Sequence, residues 1–343
     1  MKRATFIVSD AYLSNAIFDL SNPRLNRDNT LRPFWLLREK LGEHGIELAT
    51  QDIFPPESSD IVICNEIPHL DVGGLGNAPK ILLIFESEVI RPDNWTPANH
   101  QDFDVVFTWN DRLVDGQKYL KFNFPQTVPE DVVKVCRSPR ESLCVMIAGN
   151  KFQSHPLELY SARRAAIEWF ESFHPDDFDL YGFGWDQKTF RGSKLFRSFN
   201  RIQTIRRLFA EPRRSYRGQV PAKQQTLSHY KFAICYENAR DIPGYITEKI
   251  FDCLCAGAVP IYWGAPNIAD HIPQDCYICR ENFSDYPELY EYIERMSEEA
   301  RMQYVESGLK FLHGAKMQAF TAETFADSIV SAALGLLKKQ ERH

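Results

Sequence analysis

Short apolar runs alternate with polar or helix-forming stretches through the first part of the chain. The runs are four or five residues long and lie at 5–8, 47–50, 61–64, 81–85 and 105–109. Between the first two runs, apolar residues recur at helical spacing from Pro33 to Leu41, and Gly42 and Gly45 follow. Strands that alternate with helices are typical of βαβ units, so the pattern predicts a parallel sheet.

The second part of the chain repeats this alternation after a linker-like stretch, residues 125–141, that holds three prolines among charged residues. The pattern predicts strands at 143–148, 178–182, 232–236 and 259–263. It predicts helices at about 159–172, 247–256, 286–295 and 298–312, and a last helix with an apolar face through Phe325 and Ile329. We therefore predict three units: residues 1–140, residues 141–314, and a C-terminal helix in 315–343 that packs back on the first unit.

Composition narrows the class of protein. The chain has 343 residues and a formal net charge of −6, so it has room for two domains and lacks the overall basic field of nucleic-acid-binding proteins. The sequence contains no signal-peptide pattern and no run of about 18 apolar residues. The eight cysteines, the pair Cys276 and Cys279 included, lie mostly in apolar strand or helix patterns, which indicates reduced core thiols. We expect a cytoplasmic protein without a nucleic-acid partner.

Residues 232–264 hold the most informative pattern. A buried-type strand ends near residue 238, a loop follows, and a helix begins near Thr247. The N-terminus of a helix carries unpaired N–H groups and partial positive charge, and Lys249 adds a full cation that suits a diphosphate. Glu248 suits the hydroxyls of a ribose. In the alternative, Thr247 caps the helix, Glu248 complements its dipole and Lys249 points to solvent, and the spacing alone favours this alternative.

The order of residues in this stretch adds a resemblance. Residues 245–249 (Tyr-Ile-Thr-Glu-Lys) and 256–264 (Ala-Gly-Ala-Val-Pro-Ile-Tyr-Trp-Gly) resemble the donor-binding motif of the α-1,3/4-fucosyltransferase family, glycosyltransferase family 10. Residues 230–238 are similar to the strand before that motif, and weaker similarity reaches 148–151 and 181–182. The resemblance implies a GT-B architecture of two Rossmann-like α/β domains, with GDP-fucose on the C-terminal domain and the glycan acceptor on the N-terminal one.

The resemblance also implies a mechanism. L-Fucose passes from GDP-β-L-fucose to a hydroxyl, expected to be O3 of N-acetylglucosamine or glucose, with inversion in a single displacement. Glu86 at the end of a predicted strand matches the family's general base, and Glu88 is the alternative. Arg163, with Arg164 as the alternative, and Lys249 are expected to stabilise the departing GDP. Two fixed cations make a metal or other cofactor unnecessary, and no convincing Asp-x-Asp loop is present.

The predicted donor pocket combines polar, aromatic and glycine residues from the second domain. Its members are Asn150, Tyr181, Gly182, Lys223, Asn238, Tyr245, Glu248 and Lys249. Asn238 and Tyr245 carry the most weight because they lie in the motif that resembles the family. Two other readings remain open: a GT-B enzyme that uses GDP-mannose or a UDP-sugar, and a non-catalytic module that binds a glycan or a nucleotide.

One segment is unusually basic. Residues 191–217 carry nine lysines and arginines against one acid, Glu211, and apolar residues from Leu195 to Leu208 recur at helical spacing. The pattern predicts a basic amphipathic helix able to touch an anionic membrane surface. A basic helix that packs over the protein's own acidic surface has the same pattern, so the sequence leaves both interpretations open.

Overall fold

Two parallel β-sheets form the framework of the protein. The computed structural model describes residues 1–69, 72–188, 190, 198–209, 213–220 and 222–342. The strands of the first sheet are β1 (Lys2–Ile7), β2 (Ile46–Thr50), β3 (Ile61–Asn65), β4 (Lys80–Ile84), β5 (Val105–Thr108) and β6 (Tyr119–Lys121). They lie in the order β2-β1-β3-β4-β5-β6, and neighbouring strands are parallel.

The second sheet has the same design. Its strands are β7 (Ser142–Ile147), β8 (Phe178–Tyr181), β9 (Tyr216–Gly218), β10 (Tyr230–Tyr236), β11 (Val259–Trp263) and β12 (Ile278–Cys279). They lie in the order β12-β11-β10-β7-β8-β9, again parallel. The predicted α/β fold with two parallel sheets is confirmed. The sequence pattern misses β6 and β9, because three residues are too few to give a periodicity.

Helices connect and cover the strands. The α-helices of the described residues are α1 (Arg32–Glu43), α2 (Val132–Cys136), α3 (Tyr160–Phe173), α4 (Gln203–Leu208), α5 (Lys223–Leu227), α6 (Glu248–Ala256), α7 (Ile268–His271), α8 (Tyr286–Glu294), α9 (Glu298–Leu312) and α10 (Ala322–Gln340). In the middle of the first sheet, successive residues of β4 point to opposite faces. Ile81 and Leu83 belong to one apolar core, and Leu82 and Ile84 to another. Burial on both faces explains the unbroken apolar run of this strand.

The chain crosses twice between a first lobe, residues 1–124 with α10, and a second lobe, residues 127–320. The two crossings run side by side, because the N–H of Gln126 donates to the carbonyl of Phe320 at 2.6 Å and Gln126 pairs with Thr321 as an isolated parallel bridge. After the second crossing, α10 packs against α1. Phe325 meets Phe34 edge-to-face at 6.0 Å between ring centroids. The last helix therefore belongs to the core of the first lobe.

The basic segment departs from its predicted form. Residues 191–197 and 210–212 lie outside the described residues. A short 3-10 helix, Phe199–Arg201, is followed by Ile202 in extended backbone and then by α4, so the described part is not one continuous helix. Arg213 pairs with Glu171 at 2.8 Å and Arg217 with Asp179 at 2.6 Å. These two arginines contact acids of the second lobe, as the packed interpretation expects.

Candidate active site

A cleft of about 420 Å³ lies between the two lobes, at the carboxyl ends of β4, β7 and β10. Arg27, Phe85, Glu86 and Phe124 line it from the first lobe. The other wall comes from the second lobe, chiefly from the residues after β10 and from the first turn of α6. Open parallel sheets bind their ligands at this edge, and the volume falls in the range of about 300–1,000 Å³ that is usual for small-molecule sites.

The first turn of α6 is organised by a buried carboxylate, that of Glu237. Thr247, just before the helix, donates its N–H to Glu237 Oε1 at 2.8 Å and its hydroxyl to Oε2 at 2.7 Å. Lys249 Nζ donates to the Thr247 hydroxyl at 2.8 Å and lies 3.2 Å from Glu237 Oε2. Thr247 therefore binds Glu237 rather than capping the helix, and Lys249 lines the cleft instead of extending into solvent.

Lysine and glutamate side chains around α6 shift one another's pKa. Burial works to lower the pKa of the Lys249 ammonium, but Glu237 and Glu248 outweigh burial and hold that pKa above its ordinary value. Burial works to raise the pKa of Glu248, yet Lys249 and Lys223 bring it down to about 2. Both side chains are therefore charged at neutral pH, which gives the helix N-terminus a fixed cation with a carboxylate beside it.

Lys223 contacts α6 from the side. Its Nζ donates to Asp252 Oδ2 at 2.7 Å and lies 3.8 Å from Glu248 Oε1. Burial raises the pKa of Asp252 to about 6, although the neighbouring Lys223 opposes that rise. Lys223 lines the cleft, but its charge is matched by carboxylates of α6. The positive charge of Lys223 helps to keep the Glu248 carboxyl ionised.

Arg163 brings a second cation to the cleft. It lies on α3 and is 6% exposed, and its Nη2 donates to the carbonyl of Tyr236 at 2.6 Å and to Asn238 Oδ1 at 3.0 Å. Burial lowers the pKa of this guanidinium below its ordinary value. An arginine side chain nevertheless keeps its charge in proteins. Both acceptors are neutral, so the positive charge is not cancelled by either contact. Arg164 donates to the carbonyl of Lys151 and, among the described residues, is not part of the cleft wall.

Glu86 faces these cations from the first lobe. It follows β4 and lines the cleft, whereas Glu88 is not among the described residues that line it. Burial raises the pKa of the Glu86 carboxyl above its ordinary value; Lys151 and Lys249 oppose the rise. A half-buried carboxylate with a raised pKa is a better proton acceptor than one in water, which suits a general base.

Two glycines allow close approaches around the cleft. Gly182, after β8, has φ of +132°, and a Cβ there would overlap the carbonyl of Ala148. Gly244, in the loop before α6, has φ of +82°, and a Cβ there would overlap the carbonyl of Trp109 from the first lobe. The next residue, Tyr245, is 1% exposed, with its ring 4.6 Å from that of Trp109. Gly244 and Tyr245 thus join the motif of the second lobe to the first lobe.

Most of the residues predicted from the sequence meet in this cleft. Its wall includes Glu86, Arg163, Gly182, Lys223, Asn238, Tyr245, Glu248 and Lys249. Among the described residues, Asn150 and Tyr181 are not part of the wall. The amide of Asn150 donates to the carbonyl of Gly184 at 3.0 Å, and the Tyr181 hydroxyl lies 3.2 Å from that of Tyr230. Both side chains bond within the second lobe.

Sequence reasoning misses several residues at the site. Glu237 lies in the stretch 230–238, which resembles the strand before the family motif, but nothing in its spacing indicates that it holds Thr247 and Lys249. Lys151 lines the cleft and acts electrostatically on Glu86. Glu66, which follows β3, is not part of any sequence motif, but its carboxylate accepts a hydrogen bond from the N–H of Glu86. A contact between distant segments has no local signature, so the fold is needed to find these residues.

Two further properties concern the described residues as a whole. None of their helices combines the length and apolarity required to cross a bilayer. No three of their histidine, cysteine, aspartate or glutamate side chains gather in a way that could hold a metal ion.

Comparison with known proteins bears on the motif region. Residues 191–309 match the model of glycosyltransferase family 10 (fucosyltransferase), C-terminal part. Over 74 residues the chain is 38% identical to the α-(1,3)-fucosyltransferase FucT of Helicobacter pylori, covering 22% of this chain and 15% of the relative. Over 73 residues it is 40% identical to an α-(1,4)-fucosyltransferase of Arabidopsis thaliana, covering 21% and 18%. The matches thus span less than a fifth of these relatives, and they confirm the resemblance read from residues 245–264.

Solved structures extend the likeness to the whole fold. A crystal structure of an α1,3-fucosyltransferase with GDP-fucose superimposes with a TM-score of 0.55 at 17% identity, over 98% of this chain and 90% of the other. The Anabaena protein HepE, solved with UDP and glucose, gives a TM-score of 0.54 at 12% identity, over 98% and 100%. At these identities the likeness shows the fold, and the predicted GT-B class is confirmed.

Proposed function

We propose that this chain, whose residues 191–309 match the C-terminal part of glycosyltransferase family 10, is an inverting fucosyltransferase that uses GDP-β-L-fucose. One observation carries the proposal: two cations, Lys249 and Arg163, and the carboxylate Glu86 line one cleft from opposite lobes. The cations lie beside the recognised motif, where a diphosphate would meet the N-terminus of α6. The carboxylate lies on the other lobe, where an acceptor would enter.

The reaction is a single in-line displacement. A hydroxyl oxygen of the acceptor attacks C1 of fucose while Glu86 takes the hydroxyl proton, and the bond from C1 to the β-phosphate oxygen breaks. The electron pair of that bond leaves with GDP. Attack on the face opposite the leaving group converts a β-linked donor into an α-linked product. Each step uses a group that already lines the cleft.

Lys249 and Arg163 stabilise the charge that develops on GDP. Lys249 is fixed by Glu237 and Thr247, and Arg163 by Tyr236 and Asn238, so neither cation has to reorganise during the reaction. Glu248, charged at neutral pH, is oriented to accept hydrogen bonds from the ribose. With two preorganised cations on the diphosphate, transfer needs no divalent metal and no other cofactor.

The primary experiment follows transfer directly. The purified protein is incubated with GDP-fucose and EDTA, with N-acetyllactosamine, lactose or no acceptor, and both GDP release and the fucosylated product are measured. The expected result is acceptor-dependent product that persists in EDTA. Activity that disappears in EDTA and returns with Mn²⁺ would contradict metal independence. Failure to bind GDP-fucose would contradict the donor assignment.

Donor choice is tested separately from transfer. Thermal unfolding is followed with GDP-fucose, GDP-mannose and UDP-glucose, because a ligand that binds the native state raises its melting temperature. We expect the largest rise with GDP-fucose. A larger rise with GDP-mannose or UDP-glucose would favour another GT-B transferase, and binding without turnover on any acceptor would favour a non-catalytic module.

The acceptor hydroxyl is proposed as O3 of N-acetylglucosamine or of glucose. The names of the relatives differ in linkage, α-(1,3) in Helicobacter pylori and α-(1,4) in Arabidopsis thaliana. The human relative, 40% identical over 87 residues, is named as a protein O-fucosyltransferase. NMR of the isolated product distinguishes these cases, because the ¹³C chemical shift of a carbon changes when its hydroxyl becomes fucosylated. A fucosylated O4 or a fucosylated peptide would replace the O3 assignment.

Peripheral contact with an anionic membrane is a further part of the proposal. In the basic segment 191–217, Leu208 is 77% exposed and Phe209 57%, and Arg206 and Arg214 are near them in the sequence. Exposed apolar side chains among arginines favour the interface of an anionic bilayer. Sedimentation with phosphatidylglycerol vesicles at low salt tests this with a Leu208→Asp/Phe209→Asp variant. Phe173→Asp, at a side chain of the second lobe that is 65% exposed, is the control. A wild-type protein that ignores the vesicles contradicts the contact.

A further inference from the structure

Glu66 extends the hydrogen bonding of the first sheet past the end of its strands. β3 and β4 pair up to Asn65 and Leu83, and the N–H of Glu66 still donates to the carbonyl of Leu83 at 2.9 Å. Beyond that point, hydrogen bonds to the Glu66 side chain take the place of the pairing between the strands. Its Oε1 accepts from the N–H of Phe85 at 3.1 Å and from the N–H of Glu86 at 2.9 Å. One carboxylate oxygen thus holds two consecutive peptide groups.

The Glu66 carboxylate is itself held by a buried partner. Its Oε2 accepts from the side-chain amide of Asn94, which is fully buried. The Asn94 Oδ1 accepts from the N–H of Ile67 at 3.0 Å, which fixes the orientation of the amide. Glu66 is 9% exposed and has φ of +74°, a left-handed conformation that is unfavourable for a residue with a Cβ. The surrounding structure therefore imposes a strained backbone, as is often found at functional sites.

The carbonyls of the same two residues are held from the other side. The indole of Trp95 donates to the carbonyl of Glu86 at 3.0 Å, and the indole of Trp109 donates to the carbonyl of Phe85 at 2.8 Å. The backbone at residues 85 and 86 is therefore fixed through both its donors and its acceptors. The Glu86 side chain, in contrast, accepts no hydrogen bond from any described residue and forms part of the cleft wall. The network fixes the base of this side chain and leaves its carboxylate available.

We propose that Glu66 is a positioning residue, which fixes the peptide group of Glu86 so that the Glu86 carboxylate faces the acceptor hydroxyl. The inference rests on the proposed function, since it assigns Glu66 a part in proton transfer through Glu86. A displacement of about 1 Å at a reacting group is able to reduce a rate about 100-fold. Glu66 itself touches no substrate in this scheme, because the described residues that line the cleft do not include it.

Activity measurements distinguish positioning from a general effect on folding. We expect Glu66→Ala and Glu66→Gln to lower kcat about 100-fold and to leave the Kd for GDP unchanged, since Lys249 and Arg163 lie on the other lobe. In Glu66→Gln the new amide faces the amide of Asn94. The double variant Glu66→Gln/Asn94→Asp exchanges donor and acceptor in that contact, and we expect it to restore much of kcat.

The matched control is Asp104, which binds the backbone at the opposite end of β4. Asp104 Oδ2 accepts from the N–H of Lys80 at 2.8 Å, so it caps the start of β4 as Glu66 caps its end. Asp104→Ala should leave kcat unchanged. An unchanged kcat in the folded Glu66 variants, an equal loss in Asp104→Ala, or a loss confined to KM would overturn the proposal.

Amide hydrogen exchange tests positioning independently of turnover. In Glu66→Gln and Glu66→Ala, the N–H groups of residues 85 and 86 should lose protection while those of residues 81–84 keep theirs. Unchanged protection at 85 and 86 would overturn the proposal even if the wild type transfers no fucose. A wild type without any transfer activity would instead contradict the proposed function, so the two failures remain distinguishable.

Discussion

The ammonium group of Lys249 lies 3.2 Å from a carboxylate oxygen of Glu237, and the Glu237 side chain is completely buried. A buried carboxylate is tolerated only with a partner of opposite charge or several hydrogen bonds. Glu237 has both, because Thr247 supplies two further donors. The pair keeps a cation at the N-terminus of α6 before any diphosphate arrives.

The first prediction concerns the stability of this pair. Lys249→Met leaves the Glu237 carboxylate buried without its cation and should reduce the free energy of unfolding by about 3–5 kcal/mol. The double variant Glu237→Gln/Lys249→Met should recover most of that loss, yet still bind GDP weakly because the cation is gone. Urea unfolding and calorimetric GDP binding measure the two effects. A Lys249→Met variant as stable as the wild type would show that the pair is not coupled.

The second prediction separates the two candidate bases. Glu86→Gln keeps the shape of the side chain but removes its ability to take a proton, so kcat should fall by about 10²–10⁴ while GDP-fucose binding persists. Glu88→Gln is the matched control, two residues along the chain, and should retain its activity. Steady-state kinetics with saturating donor and acceptor measure both. If only Glu88→Gln is inactive, Glu86 is not the base.

The third prediction follows from the raised pKa of Glu86. A general base must be deprotonated, so kcat/KM should fall as the pH drops through that pKa, with a midpoint above the ordinary value of 4.5. Lys151 stabilises the charged form of Glu86, so Lys151→Met should raise the pKa further and move the acidic limb to higher pH. Lys134→Met, on the exposed face of α2, is the control. A limb that moves to lower pH, or does not move, contradicts this electrostatic contact.

The fourth prediction tests the close approach of the lobes at Gly244. Gly244→Ala introduces a Cβ at φ of +82° that overlaps the carbonyl of Trp109. Gly45→Ala introduces a Cβ at φ of +73° with no atom within 4 Å, so it carries only the conformational cost of about 1–2 kcal/mol. We expect Gly244→Ala to lower the melting temperature much more and to weaken GDP binding through displacement of Tyr245. Equal effects of the two variants would mean that the backbone at Trp109 moves away from the new Cβ at little cost in free energy.

The sequence predicts the two sheets and much of the cleft, for identifiable reasons. Strands such as β3 and β4 are unbroken apolar runs of five residues, so the sequence pattern alone identifies them, without knowledge of tertiary contacts. Lys249 and Glu248 are found because a helix N-terminus has a local signature and because the order of residues resembles a known motif. Glu66 is missed because it follows β3 while residue 86 follows β4, and neither spacing nor composition links the two.

The predicted basic helix is a case in which a clear sequence pattern leads to a wrong element. Apolar residues recur at helical spacing up to Leu208, yet Ile202 is extended and interrupts the helix. Arg213 and Arg217 pair with acids on α3 and β8, contacts between segments that periodicity does not encode. Periodicity indicates which face would be apolar if a helix formed, and tertiary contacts decide where the helix ends.

The paired crossings at Gln126 and Phe320 give the molecule a pivot. Because both connections between the lobes pass through one place and are hydrogen bonded to each other, a rigid-body motion of one lobe turns about that place and does not slide freely. The pivot lies beside the cleft, since Phe124 belongs to the cleft wall. In the proposed reaction, Glu86 on one lobe and Lys249 on the other would change their separation through rotation of the lobes about this crossing.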